Sequence, residues 1–181
     1  MFIITANDYN RAINNNKGIY RYNNLNNNSV YYKRFYRESE IFNSQHEIDT
    51  FLKEPRLAML IYPGSRPAPT GVPVWFDWDG KMVRIFTSRT SPKVRQLTKN
   101  PNISVLVTNR VGEPEGWVAF DGKVAIKDFS AADWSNFLNR VAPRYWDLTD
   151  PAYAKQIEGW QAVPEAFVTL ELEPEVVRSG A

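Results

Sequence analysis

The chain has 181 residues, of which 43% are hydrophobic and 14% aromatic, a composition that supports one packed domain with an appendage. The formal net charge is +2, but residues 1–40 alone hold six basic and three acidic residues, so the remainder is close to neutral and nucleic-acid binding as a main role is disfavoured. The chain has no cysteine, which excludes disulfides, thiolate metal sites and cysteine nucleophiles.

The first forty residues differ in composition from the rest. Ten asparagines lie between residues 7 and 28, and six of the nine tyrosines precede residue 40. Such a segment buries too little apolar surface to offset chain entropy, so we predict a poorly ordered extension at 1–40 and a folded domain at 41–181. A basic, aromatic arm that binds a partner or an acidic polymer is the alternative. The opening MFIIT is too short for a signal-peptide core, and no apolar run approaches the ~20 residues of a membrane span, so we expect a soluble cytoplasmic protein.

Capping and turn signals divide residues 44–99 into two helices and three strands. Residues 44–47 (SQHE) have the spacing of a capping box, and Pro55 ends the helix that follows. The pair at 79–80 (DG) is a strong hairpin signal, because a two-residue type I′ turn needs positive φ at both central positions. Ser91 is a good N-cap, and Pro92 is a good first helical residue. The predicted elements are a helix that ends at Pro55, strands at 56–62, 72–78 and 81–88, and a helix at 92–99.

The second half of the chain contains further strands and two more helices. After a cap at Ser130, an apolar stripe at i, i+3, i+4 and i+7 predicts an amphipathic helix, formed by Trp134, Phe137, Leu138 and Val141. The predicted elements are strands at 103–109, 117–126 (with a break at Asp121-Gly122) and 166–173, and helices that begin at Ser130 and at Asp150-Pro151, the latter ending at Trp160. In the last strand Val168, Leu170 and Leu172 face inward, and Thr169, Glu171 and Glu173 face outward. Six closely spaced strands joined by hairpins predict a mainly β domain, a small antiparallel barrel flanked by short helices.

The strand end and helix start at 86–93 carry the groups that a phosphate requires. Thr87 and Ser88 end a strand, Ser91 caps the helix, and Lys93 occupies its second position. The first amides of a helix are unpaired and carry the positive end of the helix dipole, so hydroxyls, amides and one cation converge there. The alternative is an ordinary capped helix whose basic side chains are solvated.

The preceding strand could support a planar ring. Val72, Val74, Phe76 and Trp78 share one face of the predicted strand, and Pro73, Trp75 and Asp77 share the other. One face is expected to enter the barrel core, which leaves the opposite face for a flat aromatic cofactor. Most such stripes are core only, so the periodicity leaves both interpretations open.

The run VPVWFDWDGKMVRIFTSRTSPKVRQLTKNPNISVLV resembles the signature region of the pyridoxamine-phosphate-oxidase-like split barrels that bind flavin. The resemblance extends over roughly residues 45–175 and implies an antiparallel split β-barrel of six or more strands. It implies that the strand with Pro73, Val74, Trp75 and Phe76 lies along the flavin ring. It also implies that Thr87, Ser91 and Lys93 bind the phosphate, with Phe86 and Ser88 nearby. A residue close to the ring often follows the loop at 112–116, a position that Trp117 occupies here.

The resemblance further implies an FMN-dependent oxidoreductase acting on an unidentified small molecule, in a homodimer with the cofactor at the subunit interface. Because a flavin carries hydride chemistry itself, no catalytic side chain is assigned and no acid–base constellation is expected. This chain ends VVRSGA, with only Arg178 in place of the arginine-bearing motif of authentic pyridoxamine-phosphate oxidases, so vitamin B6 oxidation is not expected. A deazaflavin-dependent reductase and a non-catalytic flavin-binding protein are the alternatives. A haem-degrading branch of the family would need an axial histidine, and His46, expected to be exposed in the first turn of a helix, is the one histidine in the chain.

Overall fold

The computed structural model describes residues 19–23, 30–34, 42 and 44–180. In the N-terminal segment, β1 (Ile19–Asn23) and β2 (Val30–Arg34) form an antiparallel hairpin, with Ile19 opposite Arg34. These two strands were not predicted from the sequence, although tyrosine and β-branched residues, which favour strands, are frequent in both. The remainder of the predicted extension at 1–40 lies outside the described residues. The unit Ile41–Gly180 is described separately below.

The larger unit consists of one curled antiparallel sheet and short helices, as the sequence predicts. The helices are α1 (Gln45–Lys53), α2 (Pro92–Lys99), α3 (Ala131–Val141) and α4 (Pro151–Gln161), with 3-10 turns at Ala142–Arg144 and Pro164–Ala166. The strands are β3 (Ala58–Tyr62), β4 (Thr70–Val74), β5 (Asp77–Trp78), β6 (Val83–Ser88), β7 (Asn102–Thr108), β8 (Trp117–Asp128), β9 (Phe167–Leu172) and β10 (Val176–Gly180). These eight strands are ordered β4-β3-β7-β8-β9-β6-β5, and β10 also pairs with β8. None of the helices in this described part is long and apolar enough to cross a membrane.

The predicted caps are confirmed where the helices begin. Ser44 accepts a hydrogen bond from the amide of Glu47, and Ser130 accepts one from the amide of Asp133. Asp150 caps α4 by accepting from the amide of Ala152 at 2.8 Å. Each cap satisfies a backbone donor that the helix itself cannot pair, which explains why these helices begin at these residues.

The predicted strand at 72–78 is wrong in one respect, because it divides into β4 and β5 at residues 75–76. The hairpin that follows has a four-residue loop at 79–82 instead of the predicted two-residue turn. Asp79 accepts hydrogen bonds from the amides of Lys81 and Met82, and Gly80 adopts a positive φ of 91°. The side chain of Asp79 therefore organises a longer turn than the Asp-Gly pair alone indicates.

β8 connects the two halves of the split barrel. Its first part pairs with β7 and β10, and its last part, Val124–Asp128, pairs with β9. The predicted break at Asp121-Gly122 is wrong, because the strand is continuous there. A Cβ on Gly122 would lie 2.9 Å from Leu172 Cδ1 and 3.2 Å from the amide nitrogen of Glu175. The glycine is therefore explained by the close approach of the β9–β10 connection.

Gly122→Ala is expected to destabilise the fold by about 1–3 kcal/mol, because Leu172 is buried and a backbone atom must also move to admit the methyl group. Gly159→Ala is the matched control. It lies in α4 with no atom within 4 Å of the added Cβ, and it should be neutral or stabilise by up to about 1 kcal/mol. Equilibrium urea unfolding of both variants measures the difference. Equal unfolding free energies for the two would contradict the close-approach explanation.

The unit contains two buried clusters. The barrel core includes Leu60, Val74, Phe76, Ile85 and Phe120, and the predicted inward residues of the last strand, Val168, Leu170 and Leu172, are also buried. The second cluster is the predicted stripe of α3, which packs on aromatic side chains of β6 and β9. Thr169, predicted to face outward, is only 3% exposed, because aromatic residues cover that side of the sheet. The strand β10 was not predicted; it is a short edge segment whose pairing depends on β8.

Candidate functional site

The predicted phosphate-binding residues lie together at the start of α2. Thr87 is buried at the end of β6, and its hydroxyl lies 3.3 Å from Ser91 Oγ. Ser91 is the N-cap of α2, as predicted, and accepts a hydrogen bond from the amide of Val94 at 3.4 Å. Ser88 is exposed, and its hydroxyl shares a hydrogen bond with Thr90. The segment thus brings together two hydroxyls and the amide of Lys93, since Pro92 has no N–H and the amide of Val94 is paired with Ser91.

Lys93 is the cation of this segment. It is half-buried, and burial lowers the pKa of its ammonium group from the usual value. Within the described residues, no acceptor forms a hydrogen bond or ion pair with it. A half-buried cation without a counter-charge is unfavourable, and an anionic ligand would relieve that cost.

The predicted ring-binding residues lie at the edge of the sheet. Pro73 is exposed on β4, the terminal strand of the sheet order, whereas Val74 points into the barrel core. The ring of Trp75 stacks on Tyr145 at 4.8 Å between centroids and meets Phe86 edge-on at 5.9 Å. The contact between Trp75 and Phe86 joins the two predicted halves of the site. Both rings are packed in the aromatic cluster beneath α3 and α4, so neither is an open platform.

The backbone of Phe76 is already paired within the chain. Its amide donates to Tyr145 Oη at 3.2 Å, and its carbonyl accepts from Arg144 at 3.0 Å. Tyr145 in turn donates to the carbonyl of Arg56 at 3.0 Å, and burial raises the pKa of its phenol. Of the strand predicted to lie along a flavin ring, residues 72–75 are therefore the ones whose backbone groups could contact the edge of that ring.

Three residues that contact this part of the chain were not predicted from the sequence: Arg140, Arg144 and Tyr145. Arg140 forms an ion pair at 2.7 Å with Asp77. The place of Asp77 in the hairpin predicts a surface residue, but its side chain is buried. Because more than sixty residues separate these three residues from their partners Asp77 and Phe76, no local sequence pattern predicts these contacts. The one available signal was the clustering of two arginines and an aromatic residue at the end of α3 and just beyond it.

Trp117 lies far from the phosphate-binding segment along the sheet. Asp128, at the end of β8, pairs with Val168, which pairs with Thr87. Trp117 begins β8 and pairs with Thr108 and with β10. The strand between 117 and 128 spans up to about 36 Å at about 3.3 Å per residue. The register of one chain thus does not bring Trp117 beside Thr87.

A separate cavity of about 250 Å³ lies near the end of α1 and is lined by Phe42, Phe51, Arg56 and residues 113–116. Arg56 is 7% exposed and pairs with Glu113. The backbone amide of Arg110, then the side chains of Arg56 and Arg110, lower the pKa of Glu113 to about 2. The buried guanidinium is therefore already neutralised by protein.

His46 is exposed in the first turn of α1, where the sequence analysis expected it. Among the described residues, no group of three or more His, Asp or Glu side chains could hold a metal ion.

Sequence and fold both relate this chain to known proteins. Residues 44–179 match the profile of the family described as pyridoxamine 5'-phosphate oxidase. No curated protein matches the chain. A conserved hypothetical protein from Mycobacterium tuberculosis superimposes with a TM-score of 0.60 at 20% identity, covering 81% of this chain and 89% of that one.

Two further solved structures have related folds. An F420 reductase has a TM-score of 0.56 at 21% identity, with coverage of 72% of this chain and 94% of that one. A FAD-binding protein from Mesorhizobium loti has a TM-score of 0.50 at 21% identity, with coverage of 75% and 93%. At these identities the similarities establish the fold alone. With about three quarters of its length matched by the family profile, the chain belongs to the pyridoxamine 5'-phosphate oxidase family.

Proposed function

We propose that this protein is an FMN-dependent oxidoreductase that acts on a small molecule, with Thr87, Ser91 and Lys93 binding the FMN phosphate. The observation that carries the proposal is the half-buried Lys93, which has no acceptor among the described residues. It occupies the second position of α2, directly after the contact between the hydroxyls of Thr87 and Ser91. Donors and positive charge at this position suit a phosphate dianion. A bound phosphate would also raise the pKa of Lys93 back toward its usual range.

When bound, FMN supplies the hydride and electron transfer. The chain's own residues bind and orient it: the phosphate-binding segment at 87–93 fixes one end, and residues 72–75, at the end of the edge strand β4 and just after it, border the ring. Ser88, exposed beside Thr87, is available to the phosphate as a further donor. Membership of the family and the likeness to a FAD-binding protein support this assignment.

The proposed active form is a homodimer with the cofactor at the interface. Leu57 and Met59 alternate with the core residues Ala58 and Leu60, so they point away from the barrel core, and they are 55% and 38% exposed. Met59 lies opposite Leu106 on β7, which extends the same apolar face. A second copy packed on this face would bury it. Such packing would also let Trp117 of one subunit serve the cofactor of the other, which suits its distance from Thr87 along β8.

Lys93→Ala is expected to weaken FMN binding by about 1–3 kcal/mol, or roughly 5- to 150-fold, because a charge-assisted contact to the phosphate is lost. Fluorescence titration of the apoprotein with FMN measures the change. Riboflavin, which has no phosphate, should bind the variant and the wild type equally.

Lys99→Ala is the charge-matched control, since Lys99 is exposed in the last turn of the same helix. It should leave FMN affinity within about twofold. Unchanged FMN affinity in Lys93→Ala would assign Lys93 to a solvated helix cap, and a wild-type protein that fails to bind FMN would refute the cofactor assignment.

A second candidate is a deazaflavin-dependent reductase of the same fold, favoured by the structural similarity to an F420 reductase. Both cofactors carry a phosphate, so the site at 87–93 is compatible with either. Parallel titrations with FMN and with the deazaflavin F420 decide between them. Tight FMN binding without turnover of nicotinamide cofactors or oxygen beyond the free-flavin rate would instead identify a non-catalytic flavin-binding protein.

A further inference from the structure

We infer that Arg89 is a positioning residue that holds the phosphate-binding turn in place without contacting the phosphate. The inference rests on the proposed function. Arg89 lies between Thr87 and Ser91, and in the alternative of an ordinary capped helix its side chain would be solvated. Its side chain and backbone amide instead form four hydrogen bonds, one to Asp128 at the end of β8 and three to the backbone carbonyls of residues 165–167 at the start of β9.

The guanidinium of Arg89 bridges two separate elements. Nε donates to the carbonyl of Glu165 at 2.7 Å, and a terminal nitrogen donates to the carbonyl of Phe167 at 3.4 Å. The other terminal nitrogen forms an ion pair with Asp128, at the end of β8, at 2.8 Å. The backbone amide of Arg89 donates to the carbonyl of Ala166 at 2.8 Å. One residue therefore fastens the turn to the start of β9 and to the end of β8.

This attachment fixes the residues proposed to bind phosphate. Ser88 pairs with Phe167 at the last position of the β6–β9 ladder, so the turn leaves the sheet at that point. The amide of Ser91 then donates to the carbonyl of Ser88 at 3.0 Å and closes the turn around Arg89. Moving the turn would displace Ser91 and the first amides of α2 relative to Thr87.

Charge separates the roles of Arg89 and Lys93. All three guanidinium nitrogens of Arg89 donate to protein acceptors, and Asp128 neutralises the charge. Lys93 has no such partner in the described part of the chain. An exposed ion pair such as that with Asp128 contributes little to stability by itself. The planar guanidinium, however, donates to two carbonyls at once, which a lysine side chain cannot do in the same geometry.

The test compares FMN and riboflavin titrations of Arg89→Ala, Arg89→Lys and Asp128→Ala with those of wild type. Arg89→Ala should weaken FMN binding about tenfold and leave riboflavin affinity unchanged, since only the phosphate segment loses its geometry. Arg89→Lys should be nearly as weak as Arg89→Ala, because its charge is retained but its fork is lost. Asp128→Ala should weaken FMN binding about two- to threefold. Lys123→Ala, which removes an exposed charge from β8, should have no effect.

Three results would overturn the inference. Tighter FMN binding by Asp128→Ala would show that Arg89 is a direct phosphate ligand that Asp128 competes for. Wild-type FMN affinity in Arg89→Lys would also show that Arg89 binds the phosphate directly, because only its charge would then be needed. Equal losses of FMN and riboflavin affinity in Arg89→Ala would show a general structural role.

Hydrogen exchange of the amides at 88–94, measured without flavin, separates this inference from the proposed function. Arg89→Ala should raise exchange in this segment at least tenfold while leaving β7 amides unchanged, because the turn loses its attachment. Unchanged exchange would overturn the attachment itself. Absence of FMN binding by the wild type would instead refute the proposed function, whatever the exchange shows.

Discussion

Replacing Trp134 by alanine is expected to lower the free energy of unfolding by about 3–5 kcal/mol. Trp134 is completely buried in α3, where its ring packs against Phe129 and Phe167 with centroids 4.9 and 4.6 Å away. Its indole nitrogen also donates to the carbonyl of Trp160 at 2.8 Å, which ties α3 to α4. The alanine variant leaves a large cavity and also removes the hydrogen bond that joins α3 to the end of α4. Equilibrium urea unfolding followed by circular dichroism measures the loss.

Two further variants separate the contributions to this loss. Trp134→Phe keeps an aromatic ring but removes the indole donor, so we expect a loss of about 1–3 kcal/mol. Tyr153→Ala removes an aromatic side chain of α4 that is 40% exposed and should cost about 1 kcal/mol or less. A loss below 1 kcal/mol for Trp134→Ala would show that α3 and α4 do not unfold together with the barrel.

The elements that sequence reasoning predicted well depend on contacts between near neighbours. Each helix cap joins a side chain to an amide two or three residues later, as at Ser44 and Ser130, so it can be read from spacing alone. The stripe of α3 and the alternation of β9 also express one-dimensional periods. For the same reason, Thr87 and Ser91 are found in contact, since four residues separate them.

The features that were missed depend on contacts between distant parts of the chain. The division of the predicted strand at 75–76 is stabilised by Tyr145 and Arg144, which pair with Phe76 across almost seventy residues. Gly122 resembles a strand break until the approach of Glu175 is known. Thr169 is buried because another element covers the side of β9 that alternation assigns to solvent. The partners of Arg89 also could not be predicted from spacing, because its acceptors lie at Asp128 and beyond.

The candidate site combines both kinds of information. The spacing of Thr87, Ser91 and Lys93 indicates an anion site, but only the fold shows that Lys93 is half-buried and has no partner among the residues that the structure describes. Conversely, the aromatic face assigned to the ring is partly used by the protein, since Trp75 stacks on Tyr145. A planar cofactor would therefore meet the edge of β4 more readily than the face of the Trp75 ring.

Arg144→Met is expected to lower the free energy of unfolding by about 3–5 kcal/mol, because it removes a charged donor from three carbonyls at once. Arg144 donates to the carbonyls of Leu52 and Glu54 at 2.8 and 3.2 Å, and to that of Phe76 at 3.0 Å. The first two lie at the end of α1, where helix carbonyls lack intrahelical partners and favour a cation. The guanidinium thus joins α1 to the point where β4 leaves the sheet, and its methionine replacement keeps the apolar bulk but none of the donors.

Arg144→Lys should recover less than half of this loss, since one ammonium cannot span three carbonyls in two segments. Arg95→Met, on the exposed side of α2, is the matched control and should change stability by no more than about 0.5 kcal/mol. Urea unfolding of the three variants gives the comparison, and FMN titration of the folded fraction shows whether β4 has shifted. Full recovery by lysine would mean that charge at the end of α1, and not the bridge to Phe76, accounts for the stabilisation. If the bridge to Phe76 accounts for the stabilisation, Arg144→Met should also weaken the binding of riboflavin and of FMN to the same extent. The reason is that residues 72–75, proposed to border the ring, are displaced, whereas the phosphate-binding segment at 87–93 is not.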